Sequence, residues 1–333
     1  MSKILIIRFS SIGDIVLTTP ILRCIKKQVP NAEVHFLTKR DFSDILANNP
    51  YIDNTFYYHN NLMEVLRQLK TNRYDYVIDL HHNFRTWKVK RSLRAKSFSY
   101  NKLNIQKWLY VNFKINKMPD MHIVDRYFDT VKKLGVINDG QGLDYFISPL
   151  DEVDCSTFLP GHFASGYTAF VIGAKHVTKC LPLSKMKEVC AAIQHPIVLL
   201  GGFEDKSKGI ELEKQFPEKV FNACGKTNVG QSASLLRQSH VVISHDTGLM
   251  HIAAALRKKI ISVWGNTVPE FGMYPYLPTG SEPFSIVEVN NLPCRPCSKI
   301  GYHACPKKHF KCMNDIDAFK IGMLDEAAFA KTV

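Results

Sequence analysis

Three stretches combine residue types and spacings that can do chemistry. In the first, Ser244, His245, Asp246, Thr247 and Gly248 follow the apolar run Val241, Val242, Ile243 and precede Leu249, Ile252, Ala253 and Leu256 at helical spacing. A polar turn between a buried strand and a helix offers backbone N–H groups suited to a phosphate or pyrophosphate, although the same residues also make a plain N-cap. The second is a cluster of thiols: Cys294, Cys297, Cys305 and Cys312 are spaced C-x2-C-x7-C-x6-C, whereas Cys24, Cys155, Cys180, Cys190 and Cys224 are scattered. In a cytosolic chain disulfides are disfavoured, so four clustered thiols suggest a tetrahedral structural zinc site, with His303 and His309 able to replace one sulfur. The third runs from Leu80 to Pro119, where Arg85, Lys88, Lys90, Arg91, Arg94 and further basic residues occur without one acidic residue, interleaved with Trp87, Tyr100, Trp108 and Tyr110. Such a stretch is either a solvated basic face or a surface for an anionic amphiphile at a membrane interface.

These residues need a scaffold, and the patterning supplies a repeated alternation of strand and helix. Residues 3–9 (KILIIRF) read as a buried strand, Ser10 to Asp14 as a turn, and Ile15, Leu17, Ile21, Leu22 and Ile25 as the apolar side of one helix that stops before Pro30. Strands follow at 33–37, 54–58 and 74–80, with helices at 41–47, 62–69, 105–113 and 123–134. Residues 136–166 carry Gly, Pro and Asp with little periodicity and read as a linker holding one short strand. Alternation resumes with strands at 169–172, 197–200, 219–221, 241–243 and 260–264, helices between them, and a terminal helix at 323–330. The expected fold is α/β: two Rossmann-like, doubly wound parallel-sheet domains over residues 1–150 and 151–333, the second carrying the Cys-rich segment 294–312 and the terminal helix. A chain of 333 residues with 45% hydrophobic content has material for two such cores. It has no apolar run long enough to span a bilayer and no secretory signal pattern, so the expected location is cytoplasmic. A formal net charge of +13 favours anionic partners without choosing among them.

The opening ILIIRFSSIGDIVLTTPILRCIKKQVPNAEVHFLTK, the segment DLHHNFRT at 79–86, and VISHDTGLMHIAAAL followed by WGNT resemble, in order and spacing, the bacterial heptosyltransferases of glycosyltransferase family 9. The likeness runs from Lys3 to Pro269. It implies a GT-B fold, two Rossmann-like domains facing a central cleft, with acceptor on the first and nucleotide sugar on the second. The implied activity is inverting transfer of a sugar, heptose from ADP-heptose, to the lipopolysaccharide inner core, with no cofactor required for catalysis.

Carried onto this chain, the resemblance makes Asp14 the catalytic base, which takes the acceptor hydroxyl's proton as the anomeric carbon is attacked. By position alone Asp14 is a first-turn carboxylate that suits the helix dipole. Gly13 would allow close approach of substrate or backbone, and Ser10, Ser11, His81 and Arg85 would complete the acceptor side. Lys179, just before Leu181 and Pro182, would bring a positive charge to the donor phosphates, as a metal does elsewhere; Lys175 shares its loop. Backbone N–H groups of Thr247 and Gly248 would take the pyrophosphate and Asp246 the sugar hydroxyls. Gly202 and Asn222 mark further strand ends expected to border the nucleotide, although some relatives have a glutamate near Asn222 that this chain lacks. His251, one turn into the helix, suits packing as well as ligand contact. The implied partners are a nucleotide sugar, a lipopolysaccharide-core acceptor and the inner-membrane surface, reached by peripheral contact. Two alternatives fit part of the pattern: a relative using another donor sugar or glycan acceptor, and a basic nucleic-acid-binding protein with a four-cysteine zinc site. The second lacks a recognisable binding module. The sequence does not fix an oligomeric state.

Overall fold

The structure, a computed structural model, describes residues 2–282 and 284–330. The outer ends of the two expected domains, residue 1 and residues 331–333, lie outside the described residues. The chain divides into two compact units, Met1–Lys102 with Met121–Phe146, and Leu103–Asp120 with Ile147–Val333.

The first unit contains β1 (Ser2–Ile7), α1 (Ile12–Val16), α2 (Thr19–Gln28), β2 (Ala32–Lys39), a 3₁₀ turn Arg40–Ile45, β3 (Asn54–Tyr58), α3 (Leu62–Lys70), β4 (Tyr76–Asp79), α4 (Phe84–Leu93) and β5 (Lys96–Ser99). After α5 (Asn104–Phe113), which belongs to the second unit, α6 (Ile123–Phe128) completes it. The strands form one parallel sheet in the order β3-β2-β1-β4-β5. Ile4, Leu5, Ile6 and Ile7 of β1 are wholly buried, as expected of a central parallel strand covered on both faces. The single helix expected after the first turn is two. Pro20 cannot donate to the carbonyl of Val16 and its ring crowds that carbonyl, so α1 stops and α2 starts afresh with Pro20 in its first turn.

The second unit holds α7 (Cys155–Phe158), β6 (Thr168–Val171), α8 (Leu183–Ala192), β7 (Ile197–Leu200), α9 (Lys206–Gln215), β8 (Val220–Asn222), α10 (Val229–Gln238), β9 (Val241–His245), α11 (Gly248–Ala255), β10 (Lys259–Trp264), β11 (Ser285–Glu288), α12 (Lys311–Asn314) and α13 (Ala318–Ala330). Its sheet is also parallel, in the order β11-β10-β9-β6-β7-β8. The strand order therefore reverses once in each sheet, between β1 and β4 in the first and between β6 and β9 in the second. Ligands in doubly wound folds sit beyond the carboxyl ends of strands at such a switch point.

Several expectations differ from what the chain does. Residues 41–47 give a 3₁₀ turn instead of a helix, residues 136–166 hold no strand among the described residues, and α13 starts earlier than expected, at Ala318. Elements α4, β5 and β11 were not anticipated. Residues 103–120 fall inside the expected 1–150 domain yet pack with the second unit, because Lys114 Nζ donates to the carbonyls of Cys294 (3.3 Å) and Pro296 (2.7 Å) and Tyr110 meets Phe271 edge-on (5.9 Å).

The first unit is closed by a buried arginine. Arg23 on α2, 2% exposed, donates to Asp139 Oδ2 and Oδ1 (2.9 and 2.8 Å), to the Gly142 carbonyl (2.8 Å) and to Asp144. Its hydrogen bonds pull the Asp139 carboxyl down to about 2. A depressed carboxylate contributes stability above its unfolded pKa of about 4 and loses it as pH falls toward the folded value. Arg23→Met is expected to cost about 3 kcal/mol in urea denaturation at pH 7, since it strands carboxylates that had a buried partner. That difference should shrink between about pH 4 and 2; a difference unchanged over that range rules out the ion pair as its cause.

Candidate functional site

At the first switch point β1 and β4 end side by side. Arg8, one residue past β1 and 7% exposed, is fixed by its own contacts: Nε donates to the Ser10 carbonyl (2.8 Å), and Nη1 to the Leu80 carbonyl and to the Tyr127 hydroxyl (3.2 Å). Its Nη2 lies 2.6 Å from Asp14 Oδ1. The other oxygen of Asp14 accepts from the Ser11 backbone N–H (3.2 Å) and hydroxyl (2.8 Å). Burial alone pushes the Asp14 carboxyl up, but the Arg8 charge and the Ser11 hydrogen bonds outweigh it and the net direction is down. Asp14 is thus a partly exposed carboxylate whose ionised form is favoured by its mount. Gly13 is buried in α1 beside it, and Ser10 and Ser11 supply the turn.

Asp79, wholly buried at the end of β4, shapes the neighbouring turn. Its Oδ1 accepts from the backbone N–H groups of His81 (3.1 Å) and His82 (2.6 Å), and its Oδ2 pairs with Lys90 Nζ at 3.0 Å. His81 rests edge-on against Phe9 (5.3 Å), and its Nδ1 is buried with no hydrogen-bond partner among the described residues. Burial, then Arg8 and Lys102, lower its pKa to about 4, so the ring is neutral at physiological pH. Arg85 is exposed on α4 with its guanidinium 5.7 Å from the Tyr58 ring, which itself lies 5.5 Å from Phe9, the ring that His81 touches. The basic stretch is divided: Lys90 is tied to Asp79, Tyr100 is buried against Tyr127 (4.9 Å), and residues 103–120 belong to the other unit. Phe84 and Trp87 do stack together on the exposed side of α4, with Lys88 and Arg91 over their rings.

The second switch point gathers a lysine, a carboxylate and a helix N-terminus. Lys179 Nζ lies 2.5 Å from Asp246 Oδ2, which also accepts from the Thr267 hydroxyl (3.1 Å). His245, buried at the end of β9, accepts from the Leu181 backbone N–H through Nε2 (3.0 Å), and so anchors the Lys179 loop to the strand. Burial drives this imidazole down to about 3, which keeps Nε2 an acceptor. Helix α11 begins at Gly248 behind Thr247, and Thr247 makes no side-chain cap hydrogen bond. A first turn without a side-chain cap, beside a lysine, is a site for an oxyanion such as phosphate.

The remaining expected donor residues are less engaged. Lys175 is exposed in the loop of Lys179. His251 is buried in α11. Gly202 is exposed and its N–H donates to Asp205 Oδ2 (3.2 Å). Asn222 is buried: its amide donates to the Lys206 carbonyl (3.3 Å) and accepts from the Cys224 N–H (3.0 Å), which shapes the β8 turn. Reading the sequence assigned no individual role to Arg8, to His245, which it named only as part of the polar turn, or to Thr267. The first two carried a signal, each being a polar residue at the end of an otherwise apolar strand; Thr267 had none beyond its place in the WGNT turn.

The sequence profile of glycosyltransferase family 9 (heptosyltransferase) matches residues 62–304. The chain belongs to glycosyltransferase family 9. It is 26% identical over 281 residues to lipopolysaccharide heptosyltransferase 3 of Escherichia coli, covering 77% of this chain and 80% of that one. A family 9 glycosyltransferase from Veillonella parvula shares the fold with a TM-score of 0.78 at 21% identity, over 99% of this chain and 98% of that one. The E. coli ADP-heptose LPS heptosyltransferase II does so with a TM-score of 0.75 at 18% identity, over 99% of both chains. The two parallel α/β sheets of this family 9 chain are those of the GT-B heptosyltransferases.

Because Arg8 is what holds Asp14 below the ordinary carboxylate range, Arg8→Gln should raise the Asp14 pKa. Carboxyl ¹³C NMR titration checks this, and an unmoved midpoint would show that the Ser11 hydrogen bonds suffice.

Proposed function

We propose that this family 9 chain is an inverting glycosyltransferase that moves heptose from ADP-heptose to a lipopolysaccharide-core acceptor. One observation carries the reading beyond family membership: each switch point holds an opposite-charge pair, and the two pairs suit the two halves of a sugar transfer. On the acceptor half, Asp14 takes the hydroxyl proton while the hydroxyl oxygen bonds to the anomeric carbon. Its low pKa makes it a weak base, so proton transfer must accompany the attack, when the hydroxyl has become acidic. On the donor half, the bond from the anomeric carbon to the diphosphate oxygen breaks. The departing negative charge is met by Lys179 and the first N–H groups of α11. With that charge supplied by the protein, the transfer step calls for no metal ion. The donor is supported by the name of the E. coli ADP-heptose LPS heptosyltransferase II, and the acceptor by that of lipopolysaccharide heptosyltransferase 3.

No described helix is long and apolar enough to cross a membrane. The exposed Phe84 and Trp87 beside Lys88 and Arg91 suit peripheral contact with an anionic bilayer, as an enzyme working in the cytoplasm on a lipid-linked acceptor requires.

The test is release of ADP from ADP-heptose with a deacylated lipopolysaccharide-core acceptor, beside a panel of other nucleotide sugars. Asp14→Asn should lose at least about a hundredfold in kcat while donor affinity survives. Lys179→Met should weaken ADP binding roughly tenfold or more, measured by calorimetry. Binding of no nucleotide sugar by folded wild type would sink the transferase reading; turnover only with another donor would select the alternative.

A further inference from the structure

The segment from Cys294 to Cys312 has little regular structure of its own, only the start of α12. It nevertheless supports both turns of the proposed donor site. On one side, the Tyr302 N–H donates to the Thr178 hydroxyl (2.8 Å) and the Thr178 N–H to the Tyr302 carbonyl (3.2 Å), immediately before Lys179. Gly301 packs so closely on His176 that an added Cβ would lie 2.6 Å from the His176 Cβ. On the other side, Arg295 donates to the carbonyls of Gly265 (2.6 Å) and Thr267 (3.0 Å), and the Cys297 N–H donates to that of Asn266 (3.1 Å). Thr267 is the residue whose hydroxyl reaches Asp246. An irregular segment can brace two turns only if something holds it together.

The four cysteines are the candidates. Cys294 Sγ lies 3.8 Å from His309 Nε2 across fifteen residues, and Cys297 Sγ is turned onto the Cys294 carbonyl at 2.9 Å. Cys312 is buried beside Met313 in the core of the unit. Cys297 has Cys294 and Cys305 close by, and Cys312 has Cys297, Cys305 and Cys294. The sulfurs are neighbours that must still turn inward, since the group of three ligand atoms within 4.8 Å found among the described residues is His195, Asp325 and Glu326. That group is an ion-pair clamp: His195 Nε2 faces Asp325 (2.7 Å) and Nδ1 faces Glu326 (3.3 Å), so its donors do not converge on one point.

We propose that Cys294, Cys297, Cys305 and Cys312 bind one thiophilic metal ion, zinc or iron, as a tetrahedral thiolate set, and that this ion braces the turns carrying Lys179 and Thr267. The site stands on the cysteines alone; the brace rests on the donor reading above. On binding, each thiol releases its proton and the ion takes four sulfur ligands. The resulting negative site has Lys114 beside it, held at the Cys294 and Pro296 carbonyls.

Full-length protein purified without a histidine tag is analysed by inductively coupled plasma mass spectrometry, which reads zinc and iron separately. About one metal per chain is expected. Cys294→Ser with Cys297→Ser should lose it, whereas Cys155→Ser on α7 should keep it. Stripping the wild type with a chelator should lower its melting temperature by about 5 °C or more and weaken ADP binding, and the same metal should restore both. Metal below about a tenth per chain, metal retained by the double variant, or disulfides among the four thiols overturns the site. Stripping that lowers stability but leaves ADP affinity unchanged overturns the brace. Metal-loaded wild type that binds no ADP tells instead against the donor reading and leaves the site standing.

Discussion

A parallel sheet covered on both faces has almost nowhere to put a charge. Its strand interiors are sealed, and the pleat gives each side chain to one apolar layer or the other. Only where the chain leaves the sheet can a polar or ionised side chain find backbone partners. Asp79 and His245 close β4 and β9, Arg8 follows β1, and Asp14 and Asp246 sit within the next few residues. The chemistry is confined to these edges by the same constraint that builds the cores.

The two switch points use one device with the signs exchanged. On the proposed reading, the carboxylate of the first unit is the group offered to a ligand, and Arg8 holds it. In the second the lysine is offered, and Asp246 holds it, itself steadied by Thr267. Each pair is nearly neutral before a ligand arrives, which lessens the penalty of keeping an ion half-buried. Each must also share its charge when a substrate binds. The Arg8 mount is the more rigid of the two, since its guanidinium reaches Ser10, Leu80 and Tyr127 as well as Asp14.

What is legible in the sequence follows the strength of local signals. β1 and β9 are readable because a run of three or four consecutive apolar residues ahead of a polar turn suits a buried parallel strand and little else. β5, with the sequence KSFS, and β11, with SIVE, are edge strands too short and polar to announce themselves, and α4 is so basic that its apolar side is thin. The turns bearing Asp14 and Asp246 are visible as turns. Their partners are not, because Arg8 is aimed by Leu80 and Tyr127, far away in sequence, and Thr267 meets Asp246 only once β9 and β10 are paired. Asn222 shows the converse: a strand-end position that suggests ligand contact is consumed by the backbone of its own turn.

Residues 103–120 leave the first unit, join the second and return, so the chain passes between the units at 102/103, 120/121 and 146/147. Neither unit is a continuous stretch of sequence. A chimera that joins the front half of one family member to the back half of another at a single crossover near residue 147 would give the second unit a foreign α5, together with a foreign counterpart of Lys114 for the carbonyls of Cys294 and Pro296. Recombination that respects the packing has to exchange two separate blocks at once.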